Sequence, residues 1–326
     1  MDKQDVISRF TLKNERKDIL KFYYDQRAIM WQSEEVKFHN DKKNYEMLNP
    51  RYKEIYKMFL AFFSCGDSAI TEQALGFLTG AVCQEERMFL VAQLLNETDH
   101  ALTYTRAVKE VLPVSEQEEV FNSVIDNVHV KEKKDFIMRW CENETESRAV
   151  KYFAGALTEG VFFTSLFALI FFFRRKNVFT DFIDANKFIL RDETLHRDFN
   201  IFMASYLNGE EMKFFDKEKA YAIAREAYEI EIRHMKFILE KPVDSVESDQ
   251  ELGLSVENMT LYIQTLVDQI LVLSGMEPLF NVPVTTFKWM EDMTFSNKSN
   301  FYEKLVTEYS TGHKACSSSE SDHESF

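Results

Sequence analysis

Two phrases in this chain share one spacing: Glu97-Thr98-Asp99-His100 and Glu193-Thr194-Leu195-His196 both read Glu-x-x-His. Residues three apart on an α-helix lie on one face, so each phrase turns a carboxylate and an imidazole the same way. Both phrases follow apolar helical stretches, 88–95 and 188–190. Ionisable groups rarely enter such helices unless they are paired or bind a metal. Two such helices, with a carboxylate from each of two more, make a site for a pair of metal ions in a helical bundle. The natural further contributors are Asp67, which follows Phe59, Phe62 and Phe63, and Glu159, which opens the apolar run 161–173. Taken singly, either is equally well explained as a buried partner of an Arg or Lys. Four carboxylates and two imidazoles together suit iron or manganese, and no thiolate set favours zinc. The chemistry such a pair supports is with oxygen.

Glu-x-x-His by itself is weak evidence, because a third copy, Glu231-Ile232-Arg233-His234, lies in a half-charged setting. It reads as a solvated helix face with an i,i+4 pair between Glu229 and Arg233. Tyr104 stands four residues after His100, one turn on and on the same face. Phe163, Phe167 and Ile189 fall at helical spacing on the metal-facing sides of their own helices. Together they could wall a dry pocket around a phenol beside an oxygen-activating site. A tyrosine at that spacing is otherwise simple core.

The elements that must position these groups are helices. Gly 9 and Pro 5 are low for 326 residues, apolar residues recur at helical spacing, and alternating strand-like runs are scarce. An all-α fold follows. Residues 1–49 read as an irregular arm with one helix near 16–29. Asn49-Pro50 starts the next helix, which carries Asp67. A helix over 85–111 carries the first phrase. Ser115 and Glu118 form a capping-box pattern for the helix after it. Further helices are expected over 146–174 with Glu159, 180–207 with the second phrase, 216–239 as a polar peripheral element, and 255–274. A last short helix is expected near 300–307. The acid- and serine-rich stretch 241–253 reads as a loop. Residues 311–326 lack apolar content until Phe326 and read as a disordered tail.

The net charge of -15 argues against nucleic acid and anionic membrane surfaces as partners. Cys65, Cys83, Cys141 and Cys316 form no regular framework, and the N-terminal residues have no apolar signal core. A reduced, cytoplasmic protein is expected. The run 161–173 is short for a membrane span and reads as a buried core helix.

At these residues the sequence resembles the small, radical-generating subunit of class I ribonucleotide reductase, within the ferritin-like dimetal-carboxylate superfamily. The segment from Trp31 through Glu34 and Glu35 to Val36 is similar to one near that family's N-terminus. So are Phe62 and Phe63 ahead of Asp67, Glu97 and His100 with Tyr104, Glu159 with Phe163, and Arg191-Asp192-Glu193 with His196. Asn300 to Lys304, Glu308, Tyr309 and the terminal Phe326 resemble its C-terminal segment. The resemblance implies a ferritin-like helical bundle over 1–310, with 311–326 as a flexible tail that docks on a separate large, nucleotide-binding subunit. It implies Asp67, Glu97 and His100 on one metal and Glu159, Glu193 and His196 on the other, with Glu97 and Glu193 bridging. The metals would be an iron pair, with Mn/Mn or Mn/Fe as alternatives. It further implies a tyrosyl radical at Tyr104, an electron supplied through Trp31, and a radical path through Trp31, Asp192 and Tyr309. The Asp67-to-Glu97 interval is about one residue shorter than that family's pattern. A homodimer is also implied. The rival readings are a di-iron oxygenase or oxidase, which has no need of Trp31, Asp192 and Tyr309, and a ferritin-type iron store, which has no need of a tail.

Overall fold

The structure is a computed structural model that describes residues 16–141, 143–211, 216–240 and 253–290; the side chains at 65, 67, 68, 124–126 and 208–211 also lie outside the description. Among the described residues there are helices and no strand. In sequence order they are α1 (Lys17–Ile29), a 3-10 turn (Ser33–Glu35), α2 (His39–Tyr45), α3 (Pro50–Thr79), α4 (Gln84–Val111), α5 (Val114–Asp126) and α6 (Val128–Trp140). Then come α7 (Arg148–Leu157), a π-turn (Thr158–Phe163), α8 (Thr164–Phe172), a second 3-10 turn (Phe173–Lys176), α9 (Thr180–Glu211), α10 (Lys217–Leu239) and α11 (Val256–Leu273). The expected helix near 300–307 and the tail at 311–326, with Tyr309 and Phe326, lie outside the described residues.

Four long rods make the centre: α3, α4, the continuous α7–π–α8 helix, and α9. The short connections 80–83 and 177–179 fold each neighbour back, so α3 packs along α4 and α7 along α9. Local chemistry starts two of these rods. Asn49 accepts the Tyr52 N–H at 2.8 Å with Pro50 in the first turn, and Ser147 accepts the Val150 N–H at 3.3 Å. Each such cap satisfies a backbone donor that the helix leaves orphaned. α9 starts differently. The Asp41 carboxylate of α2 accepts the Phe182 and Asp181 N–H groups at 2.9 and 3.2 Å, while the Asp181 carboxylate accepts the Asn40 and Asp41 N–H groups at 2.7 and 3.2 Å. Two helix starts far apart in sequence thus cap each other.

Three expectations are corrected. Ser115 is inside α5 and caps nothing; the helix begins at Val114 on the turn at Pro113. The run around Glu159 is not one regular helix but is interrupted by a π-turn. α10 is not peripheral. Its Ile223, Ala224, Ala227, Glu231, His234 and Met235 are buried, because its polar and apolar residues segregate onto two faces. The helix over 148–176 is long and apolar enough by composition to cross a membrane, and 94% of its most apolar window is buried among the other helices.

Candidate metal centre

The centre of the bundle holds charge. Glu97 and His100 on α4, Glu159 in the π-turn and His196 on α9 are 0% exposed, and Glu193 is 2% exposed. Ligand-capable atoms of Glu97, Glu159, Glu193 and His196 all lie within 4.8 Å of one another. His100 joins them, its Nδ1 lying 3.3 Å from Glu97 Oε2 and 3.1 Å from Glu193 Oε1. His196 Nδ1 lies 3.1 Å from Glu97 Oε1 and 2.8 Å from Glu193 Oε2. Each of these two carboxylates therefore directs one oxygen to each imidazole. Glu97 and Glu193 thus stand between the two imidazoles.

The electrostatics say what the cluster lacks. Burial raises the Glu97 carboxyl, but the His196 and His100 imidazoles override it and hold it at about 2. Burial opposes the charged form of both imidazoles, yet Glu97 and Glu193 push His196 up to about 9. Glu193 and Asp192 likewise push His100 well above the ordinary range. The carboxylates thus favour the charged form of both imidazoles, and divalent cations bound there would displace those protons. The donor set fits that role. Glu97 Oε2, Glu193 Oε1, His100 Nδ1 and His196 Nε2 are buried and make no hydrogen bond with proper geometry, although buried polar atoms almost always do. A buried carboxylate–imidazole cluster of this kind suits a dinuclear metal site.

Outside the cluster, the two imidazoles differ. His100 Nε2 lies 3.2 Å from Asp192 Oδ2. The same oxygen accepts from the Trp31 indole N–H at 2.7 Å and from the Asn96 amide at 2.8 Å. Trp31 is 4% exposed and lies nearly parallel to the His100 ring at 6.0 Å. The arm that carries it is stitched to one face of α4. Asp99 accepts the Ser33 N–H at 3.1 Å, Thr103 donates to Ser33 Oγ at 2.9 Å, and Arg106 donates to the Ser33 carbonyl. Arg191, next to Asp192, donates to the Ile29 carbonyl. Nothing comparable meets His196 Nε2 among the described residues. Its ring meets Phe89 edge-on at 6.2 Å.

Tyr104 is 0% exposed, and its hydroxyl donates to Asn186 Oδ1 at 2.9 Å. Asn186 is held in turn by donating to the Phe182 carbonyl at 2.7 Å. Phe63 stacks on the phenol at 4.9 Å, with Phe163 and Phe167 behind it at 5.8 and 5.4 Å. Ile189 is fully buried. Of the side chains expected around the phenol, Phe163 and Phe167 stand behind Phe63, and the rings that meet the phenol are Phe63 and, at 5.9 Å, Phe182.

The structure brings together Glu97, His100, Glu159, Glu193 and His196, places Tyr104 one turn away, and joins Trp31 to His100 through Asp192. The helix carrying Asp67 is described, but the Asp67 side chain is not. Reading by residue type missed Asn96 and Asn186. Asn186 stands seven before Glu193, two turns along the same face, and Asn96 is adjacent to Glu97. A polar residue at helical spacing inside an apolar face was the available signal.

The third Glu-x-x-His is corrected. Glu231 and His234 are 0% exposed. Glu231 pairs with Lys133 at 2.6 Å, and Arg233 meets Glu132 at 3.0 Å instead of Glu229.

Comparison with known proteins bears on nearly the whole sequence. The family described as "Ribonucleotide reductase, small chain" matches residues 9–308. The "Ribonucleoside-diphosphate reductase small subunit" of Plasmodium falciparum is 30% identical over 295 residues, which cover 90% of this protein and 88% of that one. Among solved structures, the Rnr4 homodimer of the ribonucleotide reductase of Saccharomyces cerevisiae is similar with a TM-score of 0.76. It is 23% identical, over 93% of this protein and 90% of that one. The dimanganese(II)-NrdF of Streptococcus sanguinis is similar with a TM-score of 0.73 at 18% identity, over 84% of this protein and 94% of that one. At these identities the two structures speak to the fold, a ferritin-like helical bundle.

Proposed function

The protein belongs to the family of ribonucleotide reductase small chains, and on that premise we propose that it generates a tyrosyl radical at Tyr104 and hands it to a large subunit that reduces ribonucleotides. The observation that carries this reading is the phenol itself. Tyr104 is sealed from solvent one helical turn from a five-residue carboxylate–imidazole cluster, and its hydroxyl donates to the Asn186 amide oxygen.

Glu97, His100, Glu159, Glu193 and His196, with Asp67 as the sixth ligand, would hold the metal pair. When bound, the pair supplies the one-electron oxidation of the phenol at the expense of oxygen. The rest is the work of the protein. Asn186 fixes the direction of the Tyr104 hydroxyl. Phe63, Phe163 and Phe167 exclude water and reductants from the ring. Asp192 accepts from the Trp31 indole at 2.7 Å and meets His100 at 3.2 Å. It therefore holds the indole proton when Trp31 passes an electron inward, and ties Trp31 to the cluster by hydrogen bonds alone. The path outward continues to Tyr309. Iron at both positions is the assignment, since carboxylates and imidazoles are its usual ligands; Mn/Mn and Mn/Fe fit the same donors.

The partner is the large subunit, on which the tail 311–326 ending at Phe326 docks, and 1–310 forms one helical domain behind the arm 1–49. A second copy of this protein is the other partner. Val91, Leu95 and Leu102 are 56, 51 and 40% exposed along one face of α4, a stripe suited to packing on a copy of itself. The compartment is the cytoplasm.

The test is an electron paramagnetic resonance spectrum after ferrous iron and oxygen are added to metal-free protein, with Tyr104→Phe alongside. A tyrosyl signal in the parent that is absent from a metal-loaded Tyr104→Phe protein is expected. A variant that keeps reductase activity with the large subunit overturns the assignment, and one that keeps an oxygenase activity favours that rival.

A further inference from the structure

The third Glu-x-x-His is left over by the reading above, and it is not idle. Glu231 and Lys133 form a buried ion pair at 2.6 Å, with Lys133 only 3% exposed. The other Glu231 oxygen accepts from the Ser165 hydroxyl. Lys133 also lies over the Phe62 and Phe162 rings at 4.4 and 5.1 Å. Ser165 stands just past the π-turn that carries Glu159, and Phe162 is inside it. Residues from α6 and α10 thus grip the helix at the turn and immediately after it.

The grip has a consequence for register. A π-turn adds about one residue to a helical turn, and one residue is worth about 100° of rotation. Such a turn persists when the helix on each side is held at an angle that a regular α-helix cannot satisfy. α7 is held by Gly155, where a Cβ would sit 2.6 Å from Gln73 Nε2 and 3.1 Å from Asn200 Nδ2. The near side of the π-turn is held by Gly160, where a Cβ would sit 2.7 Å from both Arg197 Cδ and Ile270 Cδ1. α8 is held by Ser165 on Glu231. The Glu159 carbonyl, displaced from the α-helical pattern, accepts from Thr164 Oγ1 at 3.2 Å.

We infer that Lys133, Glu231 and Ser165 are positioning residues for the metal centre: they set the rotation of α8, which imposes the π-turn and with it the presentation of Glu159 to the cluster. The inference rests on the metal reading of that cluster. It also accounts for the retention of a buried ion pair, which a well-packed apolar pair commonly replaces with no loss of stability. His234 completes the packing as a neutral ring. Burial and the nearby Lys133 hold it well below the ordinary imidazole range, and it stands against Phe62 and His129 at 5.6 and 5.4 Å.

The double variant Lys133→Met, Glu231→Leu separates positioning from stability. Manganese(II) binding to full-length, metal-free protein is followed by the resonance of the free ion, with thermal unfolding measured in parallel. The parent is expected to bind two ions per molecule. The double variant is expected to unfold at the parent temperature or higher, yet to hold one of the two ions at least tenfold more weakly, in the range found when groups behind metal ligands are removed. Ser165→Ala, which removes one hydroxyl, should weaken the same ion by a smaller factor, and it alone decides if the double variant does not fold. Two ions bound at parental affinity in a folded variant overturn the inference. A parent that binds neither manganese(II) nor ferrous iron overturns the metal reading instead.

Discussion

Glu193 with His196 and Glu231 with His234 are the same phrase on consecutive helices, both buried, with opposite surroundings. Around the first pair, α4 supplies Glu97 and His100 and the π-turn supplies Glu159. The excess of negative charge is met by protons on the imidazoles or by metal ions. Around the second pair, α6 supplies Lys133 and α8 supplies Ser165. The carboxylate is already balanced by a cation, and the imidazole is left neutral between aromatic rings. Spacing makes a carboxylate and an imidazole face one way; the charge brought by other helices decides whether a metal has anything to do there.

The sharpest way to break this comparison is to remove the two glutamates in turn. Glu193→Ala should remove one carboxylate oxygen from beside each imidazole, with no tyrosyl signal and fewer than two manganese ions per molecule by titration. A variant with both ions and a full signal would equate the two phrases. Glu231→Ala should fail in another way. It strands Lys133 without its anion, and breaking a buried pair from one side costs about 3–5 kcal/mol. The urea midpoint should drop accordingly, and an unchanged midpoint would show that the pair contributes nothing.

Buried acids without a cation offer a third contrast. Asp41 caps α9 through backbone N–H groups and also accepts from the Tyr56 hydroxyl at 3.3 Å. Burial outweighs those hydrogen bonds and raises its carboxyl to about 6 from an ordinary 3.8. Between those values the folded protein keeps a proton that the unfolded one has lost, so this group's contribution to stability falls as pH rises through the window. A shift of this size is worth roughly 3 kcal/mol. Asp41→Asn should flatten that part of the pH–stability curve relative to the parent. A curve that is identical in parent and variant would count against the burial argument.

The smallest effect is expected at Asp192, which only His100 has behind it. Asp192→Asn keeps the shape and removes the charge that holds the Trp31 proton. Turnover with the large subunit should fall about 10- to 100-fold, as for other groups behind metal ligands, while manganese(II) still binds at two ions per molecule. Undiminished turnover would remove Trp31 from the path.

Much of this was legible in the residues read in order, and for a local reason. The pairing of Glu97 with His100 and of Glu193 with His196, and the position of Tyr104 one turn on, follow from the pitch of a single helix. So does the cap at Asn49, which reaches three residues ahead. Expectations failed where the determining partner was remote. The exposed reading of Glu231 and His234 came from counting charges in a window, and the cation that buries them lies on α6. The Ser115 pattern was locally sound, but the backbone already turns at Pro113.

What the amino-acid sequence determined by itself is the long central helices, the shared face of each Glu-x-x-His pair, and the family. These depend on short-range geometry or on residues read in order. What only the tertiary structure decided is which of three equivalent phrases gathers further carboxylates, that Asn186 accepts from the Tyr104 hydroxyl, and that the helix bearing Glu159 carries an extra residue in one turn. Each of these is set by side chains arriving from other helices. In a buried site of low dielectric, the sign of the nearest charge outweighs anything the local sequence prescribes.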